Sequence, residues 1–390
     1  MNQNKTATTE LLEQLVRINS VNPDLVPGGA GENQIAKFVQ SWLDARGFET
    51  HWLEGISGRP SVVGIARGHD SKPGAGKSLM LNGHIDTVSL AGFDGDALEP
   101  RFETVAGKTR MIGRGAFDMK CGVAAMLTAA AHAKTLNLRG DVIVACVSDE
   151  ENGSIGSSEV AQQFTADAAI VCEPTNQEMV LVHKGFVWAS ITVHGKAAHG
   201  SRPDLGIDAI AKMGGVLVEL EALGNELRSR PAHPMLGTGS IHASIIAGGE
   251  ERSSYPATCT LEVERRTIPG ETLETVRNEL QAIIERCTAR DAHFQATIKF
   301  GLSRTPHECQ QSEAIVQNLK KHAQVQTGLE PKISGTGGWT DCAILSGAGI
   351  PSFLYGPIGD GAHAAYEWVD LGSVEVCAKI YLETIKEFCA

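Results

Sequence analysis

Six consecutive apolar residues, Val142-Ile143-Val144-Ala145-Cys146-Val147, constrain the fold of this chain more than any other stretch. A strand with no polar alternation must be covered on both faces, as in a sheet with helices packed above and below it. Ser61 to Ala66, Leu79 to Leu81 and Ala168 to Val171 repeat the apolar pattern. Helical periodicity runs through Thr9 to Ile18, Glu32 to Arg46 and the alanine-rich Cys121 to Lys134. In the second of these Ile35, Phe38, Val39, Trp42 and Leu43 share one face, and Gly47 stops the helix. Strands and helices alternating in this way predict an α/β domain with helices on both sides of its sheet.

From about Val180 the pattern changes. Val187 to Val193 reads as a strand, Ile207 to Leu223 as a helix, Gly239 to Ala247 and Thr258 to Glu264 as strands, Glu271 to Ala289 as a helix and Phe294 to Phe300 as a strand. That βαββαβ order is the ferredoxin-like split sandwich. The first pattern resumes with a helix over 312–326, a strand at Pro351 to Tyr355 and a last helix from Gly372 to Phe388. The expectation is a discontinuous domain of residues 1–179 and 301–390, interrupted by an inserted α+β domain of residues 180–300.

Composition narrows the function. A net charge of −12 argues against a nucleic-acid partner and against an anionic membrane surface. No apolar run is long enough to span a bilayer, and Met1 to Lys5 lacks the apolar core of a signal peptide. Nine cysteines without CxxC spacing read as reduced thiols of a cytoplasmic protein rather than as a cysteine-built zinc site.

Polar groups capable of chemistry gather at the element ends. Leu79 to Leu81 is released by Asn82-Gly83 into a polar tip, and His84 and Asp86, two apart, leave an extended backbone on one face. An imidazole beside a carboxylate suits a metal ligand with its orienting partner. Asp118 stands just before a helix, where alone it reads equally as a carboxylate facing the helix dipole. Asp149-Glu150-Glu151 follows the 142–147 strand directly. A solvated acidic loop is the bland reading, but open α/β sheets place their sites at the carboxyl ends of buried strands, and a cation there offsets the mutual repulsion of the acids. Glu173 ends the next apolar strand, and His363 lies in a glycine-rich segment after the strand at 351–355. Two histidines and three carboxylates are the inventory for two divalent metals bridged by one carboxylate. Nitrogen and oxygen donors without thiolate favour Zn2+, with Co2+ or Mn2+ as alternatives. The Glu150-Glu151 pair supplies both a ligand and a spare general base.

These residues resemble a known family. Gly83-His84-Ile85-Asp86-Thr87-Val88, Gly113-Arg114-Gly115-Ala116-Phe117-Asp118-Met119-Lys120, Asp149-Glu150-Glu151-Asn152-Gly153-Ser154, Cys172-Glu173-Pro174-Thr175 and the His363 loop look like the motifs, in order, of the co-catalytic di-zinc amidohydrolases and peptidases. That group includes acetylornithine deacetylase, succinyl-diaminopimelate desuccinylase, aminoacylase and the glutamate carboxypeptidases. The resemblance implies a mixed-sheet catalytic domain with an inserted lid and dimerisation domain. It implies that His84, Asp118 and Glu173 hold one zinc and Asp118, Glu151 and His363 the other, that Asp86 orients His84, and that Glu150 is the general base for a metal-bridging hydroxide attacking the carbonyl. Glutamate at 173 looks like the deacetylase and desuccinylase side of the family.

The inserted domain carries the remaining matches. His199 in Gly195-Lys196-Ala197-Ala198-His199-Gly200 matches a histidine that reaches the partner subunit's site in dimeric members, and Arg266 matches an arginine that holds a substrate carboxylate. Ser253 stands where the family usually has a substrate-contacting asparagine, and Gly337-Gly338-Trp339-Thr340-Asp341 matches a glycine-rich segment, Gly338 being its substrate-facing glycine, with Trp339 added and no arginine after Asp341. The function expected is zinc-dependent hydrolysis of an N-acyl amino acid by a cytoplasmic homodimer assembled through the inserted domain. The alternatives are a dipeptidase or carboxypeptidase on the same metals, or a desuccinylase-like activity.

Overall fold

Val142–Val147 lies inside the main sheet of the computed structural model, which describes residues 5–69 and 76–390. Residues 1–4, the start of the stretch without a signal-peptide core, lie outside them. The described residues form two compact units. One falls within Met1–Leu181, Cys309–Ser334 and Thr340–Ala390, the other within Val182–Glu308 and Gly335–Trp339.

In the first unit the sheet is mixed. Six of its nine strands run in the order Glu49–Leu53, Ser61–Ala66, Val142–Val147, Leu79–His84, Ala168–Val171, Ser352–Leu354. Leu79–His84 runs parallel to both its neighbours, and Ser352–Leu354 is parallel to Ala168–Val171, while the two strands at the opposite edge are antiparallel. The absence of alternation in the apolar runs follows from burial on both faces. Leu79, Leu81, Val142, Val144 and Cys146 join one core, and Met80, Ile143, Ala145 and Val147 join another on the opposite face. The helices Ala7–Arg17, Asn33–Asp44, Lys120–Lys134, Ala314–Thr327 and Leu371–Phe388 pack into the first of these cores.

The strand beginning at Leu79 is longer than its sequence suggests. It runs to His84, with Asn82 and Gly83 kept in the ladder opposite Ala145 and Cys146. Asn-Gly is a turn signal only when nothing pairs with it, and here two parallel neighbours do. A small antiparallel sheet of Gly359–Asp360, Trp368–Asp370, Lys108–Ile112 and Arg101–Val105 went unread in the sequence because its strands are short and none carries a long apolar run.

The second unit is a four-stranded antiparallel sheet ordered Ser240–Gly248, Thr258–Thr267, Gly185–His194, Gln295–Arg304, with the helices Ala209–Ser229 and Leu273–Arg290 contributing to its core. In chain order this is βαββαβ, the ferredoxin-like arrangement. Its two central strands, Thr258–Thr267 and Gly185–His194, alternate buried and more exposed residues, as a sheet covered on one face must.

Gly122, in the helix Lys120–Lys134, shows how closely helix and sheet approach in the first unit. A Cβ there would lie 1.9 Å from the backbone oxygen of Cys172, next to Glu173. Gly122→Ala should therefore lower stability by about 2 kcal/mol or more, the overpacking cost outweighing the gain in helix propensity of about 1 kcal/mol. A shift of the urea midpoint measures it, and an unchanged or raised midpoint would refute the close approach.

Candidate metal centre

Three neighbouring parallel strands deliver their carboxyl ends to one place. His84 pairs with Val147 and Asn82 with Val171, so His84, the Asp149–Glu151 loop and Glu173 emerge at the same level of the sheet. Asp118 comes from the loop before the helix Lys120–Lys134, and His363 from the loop between Gly359–Asp360 and Trp368–Asp370. The structure brings all of these together within the first unit.

Two groups share Asp118. In one, His84 Nε2 is 3.0 Å from Asp118 Oδ1 and 3.4 Å from Glu173 Oε1. In the other, His363 Nε2 is 3.2 Å from Asp118 Oδ2 and 3.0 Å from Glu151 Oε2. Within each group the ligand atoms all lie within 4.8 Å of one another. Two donors on one tetrahedral Zn2+ stand about 3.3 Å apart, so these separations suit ligands of a shared ion. The Oε1 of Glu151 is buried without a hydrogen-bond partner among the described residues, an orphan that a cation would satisfy. The residues fit a metal pair. Glu150 is set off from both groups, with its Oε2 4.0 Å from His84 Nε2.

Electrostatics agree. Burial pushes the Glu173 carboxyl up to about 8, with the charges of Asp118, Glu151 and Asp341 adding to it. Burial likewise raises Glu150 well above the carboxylate range and raises Glu151, against the hydrogen bond from His363. The His363 imidazole is raised to about 10 by its hydrogen bonds to Asp118 and Glu151. For Asp118, burial is outweighed by His363 and His84, and its carboxyl is lowered. Without an ion, protons do the neutralising.

Asp86 is placed differently from its expected role. The strand ends at His84, so the same-face argument does not extend to residue 86. It is the backbone oxygen of Asp86 that lies 3.0 Å from His84 Nδ1, the carboxylate Oδ1 being 3.6 Å away. The carboxylate instead accepts from the backbone N–H groups of Glu150 and Glu151, at 3.2 and 3.3 Å, and from Asn22 Nδ2 at 2.8 Å. Asp86 thus fixes the two adjacent glutamates as much as the histidine.

Sequence reasoning missed several buried polar residues around the centre. Asn22 Nδ2 also donates to Asp149 Oδ1, which accepts from Arg59 as well, and Arg59 forms a two-pronged pair with Glu32. Asp341 accepts from Ser157 Oγ at 2.6 Å, and its own charge helps raise Glu150 and Glu173. Arg114 and Glu367, both buried, pair at 2.8 Å. None carries a local pattern. Asp341, inside the quoted glycine-rich segment, and Arg114, inside the Gly113 to Lys120 motif, had the nearest thing to a signal.

His199, Arg266, Ser253 and Gly338 belong to the second unit. There His199 is exposed, with Nδ1 2.8 Å from Ser201 Oγ, and its loop meets that of Ser253, whose backbone oxygen accepts from Gly200 N–H. Arg265 faces the core and is saturated by Glu271 and Glu279, whereas Arg266 faces the other side, part-exposed, beside Glu264 and Phe186. The N–H of Gly338 donates to Thr336 Oγ1 at 3.2 Å.

Comparison with known proteins places this geometry. A family model described as peptidase family M20/M25/M40 matches residues 80–387. The chain belongs to this family. It is accordingly a hydrolase of amide bonds. Among curated relatives it is 28% identical to an N-formyl-4-amino-5-aminomethyl-2-methylpyrimidine deformylase of Halalkalibacterium halodurans, over all of this chain and 96% of the relative. It is 28% identical to an acetylornithine deacetylase of Myxococcus xanthus, over 90% and 91% of the two chains. Among solved structures it shares the fold of a tripeptidase of Staphylococcus aureus, with a TM-score of 0.79, 20% identity and 98% of each chain covered. It also shares that of a dinuclear metal-binding M20 peptidase of Bacillus subtilis, at 0.73, 15%, and 98% and 97%.

The raised groups set a pH dependence for metal binding by this M20 chain. His363 and Glu173 hold protons up to about 10 and about 8 in the metal-free site, and a metal needs both deprotonated. Binding at pH 7 should therefore release protons, and apparent affinity should climb between pH 6 and 9 by roughly tenfold per unit for each proton displaced. Calorimetric titration in buffers of different ionisation enthalpy tests this. A heat independent of buffer would show the ligands already deprotonated.

Proposed function

We propose that this protein is a two-metal deacylase that cleaves the amide bond of an N-acyl amino acid or a closely related small N-acyl amine. The observation carrying this reading is the pair of three-residue groups sharing Asp118, with the part-buried Glu150 beside them but in neither. His84, Asp118 and Glu173 would hold one Zn2+, and Asp118, Glu151 and His363 the other, with Co2+ or Mn2+ as substitutes. When bound, the metals supply Lewis acidity for the amide carbonyl and lower the pKa of the attacking water.

The chain's own residues do the rest. Glu150 removes a proton from the attacking water and returns it to the leaving amine, the task open to a carboxylate beside the ligand groups but in neither. Asp86, accepting from the backbone N–H groups of Glu150 and Glu151, fixes both glutamates as the proton moves. Arg266, with its guanidinium part-exposed, would receive a substrate carboxylate as a fork, while Ser253 and Gly338 would face the acyl amine. His199 would steady the developing oxyanion in the partner subunit.

The relatives named for deformylation and acetyl removal support a small acyl group, and the tripeptidase and dipeptidase neighbours keep a peptide substrate as the second reading. Cys342, rather than an arginine, follows Asp341 and is buried, which gives no support to a succinyl substrate. Homodimerisation is supported by an apolar surface on the second unit. Ile245 and Ile246 on the edge strand Ser240–Gly248, with Ile210, Leu217 and Val218 on the helix Ala209–Ser229, are all exposed. A cytoplasmic setting agrees with nine buried free cysteines, and among the described residues no helix is long and apolar enough to cross a membrane.

Glu150→Ala should retain two metals per chain and lose roughly a hundred- to ten-thousandfold in kcat on an N-formyl or N-acetyl amino acid. Metal analysis with a hydrolysis panel that includes dipeptides checks both halves. Retained turnover would remove Glu150 from its role, and wild-type activity confined to dipeptides would establish the peptidase reading instead. Val218→Lys with Ile245→Lys should yield a monomer by sedimentation, and an unchanged dimer would exclude this surface.

A further inference from the structure

His363 is the most exposed of the metal-site side chains, at 53%, and it stands at a φ of +61°, in the left-handed region. A half-exposed ligand on such a loop needs something to hold it. Asp94 N–H holds the backbone oxygen of Ala365 at 2.8 Å and Tyr366 Oη donates to Glu103 at 2.7 Å, while the buried side-chain ties meet at one ion pair. Arg114 Nη1 donates to Glu367 Oε2 at 2.8 Å, Nη2 to the backbone oxygen of Ala364 at 3.0 Å, and Nε to that of Ser89 at 3.0 Å. The other oxygen of Glu367 accepts from the backbone N–H groups of Phe117 and Asp118, at 2.9 and 3.0 Å. Arg114 is 3% exposed and Glu367 0%. One pair therefore grips the residue after His363 with one hand and the backbone of Asp118 with the other.

The two metal groups depend on this grip unequally. His84 and Glu173 leave the ends of buried, paired strands, and His84 Nε2 holds Asp118 Oδ1 independently of Glu367. His363 has no strand beneath it. Its reach to Asp118 Oδ2 and Glu151 is set by the loop that Arg114 and Glu367 fasten. We propose that Arg114 and Glu367 are positioning residues that set the occupancy of the Asp118–Glu151–His363 group selectively, so that their loss leaves an ion at His84–Asp118–Glu173 and empties the other. This rests on the two-metal reading above and adds to it a residue pair that decides whether the centre holds one ion or two.

The test is metal titration of full-length, metal-free protein with Zn2+ in competition with a chromophoric chelator, repeated with Co2+ for its ligand-field spectrum. In Glu367→Gln one amide end must face either the Arg114 N–H groups or the backbone N–H groups with a donor, so one set of contacts is lost. The expected result is one ion held as in wild type and the other weakened more than about tenfold, the range for losing an outer partner of a metal ligand. The Co2+ spectrum should then be that of a single site. Arg114→Lys keeps the charge opposite Glu367 and leaves the bonds to Phe117 and Asp118 intact, but loses the fork to Ala364 and Ser89. It should weaken the same ion by a smaller factor, and it carries the test if Glu367→Gln does not fold. Equal weakening of both ions, or two ions bound as in wild type, would overturn the clamp while leaving the two-metal reading standing. Wild-type protein that binds fewer than two ions would overturn both.

Discussion

Carboxylates crowded out of water are the constraint on which the site depends. Asp86, Asp118, Glu150, Glu151, Glu173 and Asp341 gather around His84 with little exposure, and burial alone drives Glu150, Glu151, Glu173 and Asp341 toward their neutral forms. The surrounding structure sorts these acids into two kinds. Some are satisfied from behind: Asp86 by Asn22 and two backbone N–H groups, Asp149 by Asn22 and Arg59, Glu367 by Arg114 and two more N–H groups. Among the described residues, Asp118, Glu151 and Glu173 instead face the two imidazoles. Acids already paired compete weakly for a cation, so the attraction is concentrated where the ligand groups are. Loss of a charge partner from a buried pair is costly because the remaining charge stays buried.

That crowding is tolerable because it hangs from the most strongly held part of the fold. His84, Glu150, Glu151 and Glu173 follow strands whose side chains are buried on both faces and whose backbone groups are paired on both sides. Repulsion at their ends cannot splay them without breaking a ladder. His363, on a loop, has no such backing and relies on polar ties instead.

This difference decides what the sequence disclosed. An apolar run marks a buried strand, a run ends somewhere, and polar residues just past the end are marked as candidates by position alone. His84, Glu150, Glu151 and Glu173 were legible in that way, and His363 through its glycine-rich segment. The residues behind them were not. Asn22 meets Asp86 across 64 positions and Asp149 across 127, and Arg114 meets Glu367 across 253. Each is a single polar residue whose partner is set only by the closed topology, so no local period or spacing announces it. Asp86 was legible as the partner of His84 but not in its contacts with Asn22 and the backbone of Glu150 and Glu151.

The strand Thr258–Thr267 shows a periodicity working the other way. Arg265 and Arg266 are adjacent and chemically identical, yet a period of two sends one into the core, where Glu271 and Glu279 consume it, and the other outward. Only the outward arginine has a guanidinium free to exchange Glu264 for another carboxylate. The same logic bears on a family whose relatives remove formyl and acetyl groups and whose structural neighbours cut peptides. On the function proposed above, two metals and a glutamate would act on the amide itself and see the same bond in each case, so they would discriminate little among acyl groups. Discrimination has to come from residues that touch what differs between substrates. The candidates proposed for that role, Arg266, Ser253 and Gly338, sit on the second unit, apart from every candidate metal ligand in the chain's division into units. A chain built this way can change its substrate while every charge at the metal centre stays where the sheet holds it.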